Sequence, residues 1–155
     1  MQNQKQLQRA FRDHVVAQNP QMMITFNYVR QITFDQMQTH IIDFTNRMQR
    51  RVLGRGWMSK ELVHRPYLIG AAEHLDTNPH VHAALIAPEA FVEFLGAPAA
   101  AALWSSIHDR CGQLHAERTV DLDAMASYIA KMLYQHNALD RAVYYTPRWT
   151  NSEIR

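Results

Sequence analysis

Two histidines one residue apart, His80-Val81-His82, are the first residues here whose spacing could do chemistry. On a strand, alternate side chains leave the same face, so both imidazoles stand side by side. Such a pair suits a divalent cation. With nine histidines in 155 residues, the pair alone carries little weight, and a third residue makes it specific. Asp76-Thr77-Asn78-Pro79 is turn chemistry between two strand-like runs, Tyr67 to Leu75 and His80 to Ala87. A two-residue loop pairs Asp76 with Pro79, and a four-residue loop pairs Leu75 with His80. Both put Glu73 directly opposite His82, with Cβ atoms about 5 Å apart and His80 as the diagonal neighbour. A three-residue loop would shift the register by one and turn Glu73 to the other face. Two imidazoles and one carboxylate leave coordination positions open, as catalytic metal sites do and structural ones do not.

A second group is Tyr128-Ile129-Ala130-Lys131. At i and i+3 on a helix, the tyrosine and lysine are neighbours on one side. A phenol with a pKa of about 10 is a poor nucleophile. A nearby cation, from lysine or a metal, favours the phenolate and the charge that develops on a phosphate. Read alone, a tyrosine beside Met125 and Met132 is more often a core residue, and the lysine more often a solvated one. Tyr134, nearly two turns further on, is a second candidate without a paired lysine. Arg47, Arg50, Arg51, Arg55, Lys60 and Arg65 crowd into one stretch with Trp57, although the net charge is only +2. Clustered cations with an aromatic suit a phosphate backbone with bases stacked beside it. The same stretch also reads as a solvated helix face and loop.

The elements that must position these residues follow from periodicity. Leu7, Ala10, Phe11 and Val15 form a weak helical stripe that Asn19-Pro20 stops. Met22 to Val29 reads as a strand with Ile24, Phe26 and Tyr28 on one face. Thr33-Phe34-Asp35-Gln36 has the form of a capping box, and a helix with Phe34, Met37, Ile41, Phe44, Met48 and Val52 on one side should follow until Gly54 and Gly56. Residues 54–65 form a basic loop. Pro88 and Glu89 suit a helix start, and that helix, broken near Gly96-Ala97-Pro98, runs to about Cys111. Gln113 to Val120 is a fourth strand, and Asp121 or Asp123 caps the helix that carries Tyr128. The tail from Arg141 to Arg155 is either a last strand or a segment continuing onward. The order β-α-β-β-α-β-α predicts an α+β fold with a largely antiparallel sheet in the ferredoxin-like or RRM-like style, helices on one face and the other face open to a ligand.

The length fits one domain over 1–155, with residues 1–20 as an N-terminal helical extension and 141–155 as a C-terminal tail. A hydrophobic content of 47% argues for a folded core. The single cysteine, Cys111, excludes an internal disulfide framework and fits a reducing compartment. No apolar run reaches membrane-span length and no signal peptide opens the chain, so a cytoplasmic protein without a membrane partner is expected.

Together these groups resemble the HUH endonuclease superfamily, specifically its single-tyrosine Rep type, which starts rolling-circle replication. The resemblance covers about residues 22–135. Ile24-Thr25-Phe26-Asn27-Tyr28 looks like the family's first motif, His80-Val81-His82 like its HUH motif, Glu73 like its third ligand, and Tyr128 to Lys131 like its Y-x-x-K helix. The resemblance implies that Glu73, His80 and His82 hold Mg²⁺ or Mn²⁺, that Tyr128 attacks single-stranded DNA or a DNA hairpin at an origin, and that Lys131 positions the phosphate. It implies a 5′-phosphotyrosine intermediate, with Asn27, Arg50, Arg51, Arg55, Trp57 and Lys60 contacting DNA. The phosphate-binding loop of a helicase domain, which many replication initiators carry, has no counterpart in this sequence, so a separate helicase would be a partner. The same chemistry would serve a relaxase or a transposase.

Two other readings compete. A non-catalytic nucleic-acid-binding module would explain the basic loop and aromatics, but not Glu73, His80 and His82 together. A mononuclear iron oxygenase would use His74 and Asp76, at H-x-D spacing, with His115 or His136 as the distal ligand. That site belongs in an all-β barrel, which the long helical segments oppose.

Overall fold

In the computed structural model, which describes residues 2–135 and 142–145, the alternating run Met22–Tyr28 is strand β1, with Met22, Ile24, Phe26 and Tyr28 buried and the residues between them half covered. Thr33 caps helix α2 (Phe34–Leu53). Its hydroxyl accepts from the Gln36 N–H, and the Gln36 side chain accepts from the Thr33 N–H, both at 3.3 Å. Met37, Ile41, Phe44 and Met48 bury one side of α2. Gly54, at φ 80, ends it in a conformation that a side chain would strain. Two short 3₁₀ turns, Trp57–Ser59 and Leu62–His64, lead into β2 (Tyr67–Glu73) and β3 (His80–Ile86).

Helix α1 is Gln2–Ala17. The single broken helix expected to reach Cys111 is two short ones, α3 (Glu89–Gly96) and α4 (Pro98–Ser105). Pro98 lacks an N–H and starts a new helix where the first one stops. Strand β4 (Cys111–Arg118) therefore begins two residues before Gln113. Of the two cap candidates for α5 (Leu122–Gln135), Asp121 takes the role, its Oδ1 accepting from the Ala124 N–H at 2.9 Å. The tail contributes a last strand, β5 (Ala142–Tyr145); residues 146–155 lie outside the described ones.

All strand pairs are antiparallel, in the order β4-β1-β3-β2-β5. The fold is α+β and ferredoxin-like, with one strand added at the β2 edge. Helices α2, α3 and α4 cover one face around Phe26, Phe44 and Trp104, whose rings meet edge to face at 5.5, 4.9 and 5.8 Å.

The second face is not left fully open. Helices α1 and α5 pack on its β2 and β3 half, where Val15, Ile69, Ala71, Ala84, Met125, Ala126 and Ile129 form a second core. The cause is visible in β2, whose residues after Tyr67 are all buried on both sides, as in a strand covered twice. The β1 and β4 half remains accessible, with Gln113, His115 and Glu117 exposed. Among the described residues no helix is long and apolar enough to cross a membrane.

Candidate active site

The β2–β3 hairpin pairs Glu73 with His80 and Ala71 with His82. The expected register had Glu73 opposite His82 and His80 on the diagonal, so the observed one is displaced by two residues. The reason lies at His74. It takes φ 50, and its carbonyl accepts from both the Thr77 and Asn78 N–H groups at 3.0 Å. The turn therefore closes earlier and its six residues, 74–79, stay outside the ladder. A shift of two preserves the face. Glu73, His80 and His82 still converge, each offering one ligand atom, all within 4.8 Å of one another.

The second face reads as rows across the strands. One row carries Asn27, His80 and Glu73. The next carries His115, Thr25, His82 and Ala71. A third carries Glu117, Met23, Ala84 and Ile69. Hydrogen bonds orient the imidazoles from below. His80 Nδ1 lies 2.7 Å from the Asn78 carbonyl, and a carbonyl can only accept. Nδ1 therefore carries a hydrogen, and Nε2 faces Glu73 Oε2 at 3.3 Å. His82 Nδ1 lies 2.9 Å from Thr25 Oγ1, which leaves Nε2 for the space above the sheet. Bonds of this kind at the far ring nitrogen set tautomer and orientation at metal centres.

Glu73 is 5% exposed. Its Oε2 faces His80, while Oε1 is buried without a hydrogen-bond partner. A buried carboxylate oxygen without a partner is costly, and a cation in reach of both imidazoles would satisfy it. The donor set of two nitrogens and a carboxylate fits a divalent ion. Hydrogen bonding to Glu73 holds the His80 pKa above the usual histidine value, whereas burial pushes that of His82 below it.

Tyr128 reaches this group from α5. Its hydroxyl lies 3.3 Å from His82 Nε2, and its ring meets the His82 ring edge to face at 5.1 Å. The side chain is 41% exposed, so the alternative of a sealed core tyrosine does not hold. Burial and the Glu73 charge both raise its pKa above the ordinary phenol value. No family model matches the chain, and no curated protein and no solved structure matches it either. The site must be read from its own chemistry.

The remaining residues fall at different distances from this centre. Asn27 stands beside His80 in the same row, its side-chain amide donating to the Gln113 carbonyl at 3.3 Å. Lys131 is exposed one turn beyond Tyr128. Arg50 and Arg51 end α2, Arg55 and Lys60 follow, and all four are exposed. This stretch precedes β2, a strand of 7 residues that ends at Glu73. At ~3.3 Å per residue, the two ends of β2 are about 20 Å apart, so the basic stretch enters β2 at the end away from Glu73. Trp57 has the Arg65 guanidinium 5.0 Å from its ring centre. Arg65 is itself buried and donates from Nε to Gln49 Oε1 at 2.8 Å, which makes it part of the packing.

His74 and Asp76 sit in the hairpin turn, and His115 sits two strands from His82 beside Glu117 at 3.6 Å. They do not gather into a ligand set among the described residues. His136 and the side chain of Tyr134 lie outside the described ones. Thr25 is the site residue that sequence reading did not single out as a positioning group. Its signal was a polar residue alternating with apolar ones on β1, as Asn27 also is, but its use depends on β1 lying beside β3.

Proposed function

We propose that this chain is a metal-dependent endonuclease and strand transferase for single-stranded DNA, of the HUH kind, with Tyr128 as nucleophile. What supports the reading most is one juxtaposition. A phenol hydroxyl stands 3.3 Å from an imidazole of a group whose two histidines and one buried carboxylate could share a cation.

Glu73, His80 and His82 would hold Mg²⁺ or Mn²⁺. Intrinsic imidazole affinity favours Zn²⁺ or Cu²⁺, so the hard ion rests on the resemblance to the family and on availability. Bound there, the ion supplies Lewis-acid polarisation of a phosphoryl oxygen. The rest of the chemistry belongs to the chain. The Tyr128 oxygen bonds to phosphorus as the bond from phosphorus to the 3′ oxygen breaks. The phenolic proton passes to water and the departing oxygen takes one up, leaving a 5′-phosphotyrosine and a free 3′-hydroxyl. One ester bond replaces another, so a later 3′-hydroxyl can reverse the step and rejoin the strand. Lys131, on the same side of α5, would neutralise phosphate charge. Asn27 would contact the strand beside the centre. Arg50, Arg51, Arg55, Lys60 and Trp57 would contact DNA remote from the cut, such as the stem of an origin hairpin. Initiation of rolling-circle replication, with a separate helicase, is the setting we favour. A relaxase or transposase would need the same steps.

The test is incubation with Mn²⁺ and single-stranded DNA labelled at its 3′ end, followed by a denaturing gel. The reading expects a labelled, protein-sized band that EDTA and Tyr128→Phe abolish. A band that persists in Tyr128→Phe removes this tyrosine from the chemistry. Absence of any band across origin-type hairpins reduces the chain to a binding module.

A further inference from the structure

Beside Tyr128 is a cavity of about 380 Å³ that shares His82 and Tyr128 with the candidate active site. Its floor is Met23, one row along from Thr25 and His82, hence about 7 Å further along the strands. Met125 of α5 forms the apolar wall opposite. The rim is acidic. Glu117 stands directly across from Met23 on β4, and Asp121 begins the turn into α5. The neighbouring cation does not offset them, because Arg118 is paired with Glu89.

This combination selects among the parts of a nucleotide. An acidic rim repels phosphate, so a charged group is excluded. Two thioethers and a phenol ring offer a soft, polarisable surface that suits a flat ring. Glu117 is exposed, and among the described residues its carboxylate has only the 3.6 Å approach to His115 and accepts no hydrogen bond. A carboxylate accepts from an exocyclic amino group, as it does from cytosine N4, and has nothing to donate to thymine O4.

We infer that this cavity is a base-selecting subsite. It takes the unpaired base next to the phosphate attacked by Tyr128, and Glu117 favours an amino-bearing base such as cytosine over thymine. The inference rests on the nicking reading for the identity of the strand, and it adds a specificity-determining residue that lies outside the metal group and the nucleophile.

The experiment is fluorescence-anisotropy binding of dC8, dT8 and an abasic 8-mer in Mn²⁺ to the full chain and to Glu117→Gln. Glutamine can donate to O4 as well as accept, and Glu117 is exposed, so that variant keeps the fold. Wild type should bind dC8 roughly tenfold tighter than dT8, the scale of one good base contact. Glu117→Gln should close most of that gap, and the abasic 8-mer should bind wild type more weakly than dC8. Equal binding of dC8 and dT8, or a gap that survives Glu117→Gln, overturns the inference. The covalent-adduct gel run on the same samples separates the two claims. Adduct without base preference leaves the nuclease and removes the subsite. Preference that Glu117→Gln abolishes, without adduct, keeps the subsite and removes the nicking.

Discussion

Asn78 offers His80 only a carbonyl oxygen, so the hydrogen on Nδ1 is dictated and Nε2 is turned toward Glu73. Thr25 does the corresponding work for His82 through a hydroxyl at 2.9 Å. That difference makes Thr25 the informative residue to change. Thr25→Val keeps shape and β propensity but removes the oxygen. It should weaken Mn²⁺ binding by about ten- to a hundredfold, the usual effect of losing such a partner, with an unchanged circular dichroism spectrum. Calorimetric titration measures it; affinity equal to wild type would mean that Thr25 does not orient the ring. The three residues that could hold a cation were legible from strand spacing and turn chemistry, and Tyr128 stood out by its helical spacing to Lys131. Thr25 was not, because its role needs a neighbour 57 positions away in the chain.

At the scale of the hairpin, the side-chain face was readable and the register was not. Strand period fixes which side Glu73, His80 and His82 share. The pairing depends on His74 adopting a left-handed conformation, which histidine enters more readily than most residues but still in a small minority of cases, so its presence does not announce the turn. A two-residue error left the site intact, whereas an error of one would have dismantled it. Close approach of β2 to β3 depends on Gly70. A Cβ there would lie 2.5 Å from the His82 carbonyl oxygen and 2.9 Å from the Ala83 side chain. Gly70→Ala must therefore push the strands apart at the histidine. It should cost about 1–3 kcal/mol, as overpacking does, and weaken Mn²⁺ binding as well. Urea unfolding and metal titration check both effects. Unchanged values for both would mean that the ladder can absorb a methyl group without moving His82.

Across the whole molecule, the order from β1 to α5 was legible because those elements announced themselves by period, cap or turn, whereas the tail left a last strand and a continuing segment both open. The second helical layer was missed because the pattern of α1 is weak and two-sided burial of β2 shows only as apolar residues in both phases. That layer bears on the candidate site, since α1 packs on α5, the helix that holds Tyr128 over His82.

The opposite layer carries a pH response. His40 stacks on His108 at 4.7 Å and on Tyr28 at 6.0 Å, and its Nδ1 lies 3.8 Å from Cys111 Sγ. Burial, then His108 and Arg110, push its pKa below the usual value against the pull of Asp43 and Asp109. The unfolded chain therefore takes up a proton near pH 6.5 that the folded one refuses. Stability from this group is complete above that pH and is lost as pH falls below it. His40→Gln should show a flatter stability profile between about pH 7 and pH 5 than wild type; parallel profiles would contradict the assignment. The proposed metal site would add a second linkage, in the other layer. Mn²⁺ at a hundred times its dissociation constant should add about 2.7 kcal/mol to unfolding stability. The gain should vanish in His82→Ala; a gain that survives would put the ion elsewhere.

The most direct test of the central claim is to find the atom that carries the DNA. After reaction with Mn²⁺ and single-stranded DNA, nuclease trimming and proteolysis, mass spectrometry should locate a nucleotide remnant on the peptide that contains Tyr128, at that tyrosine. The remnant should be absent when Glu73 is replaced by alanine. A remnant on another residue, or one formed equally well without the Glu73 carboxylate, would contradict the account.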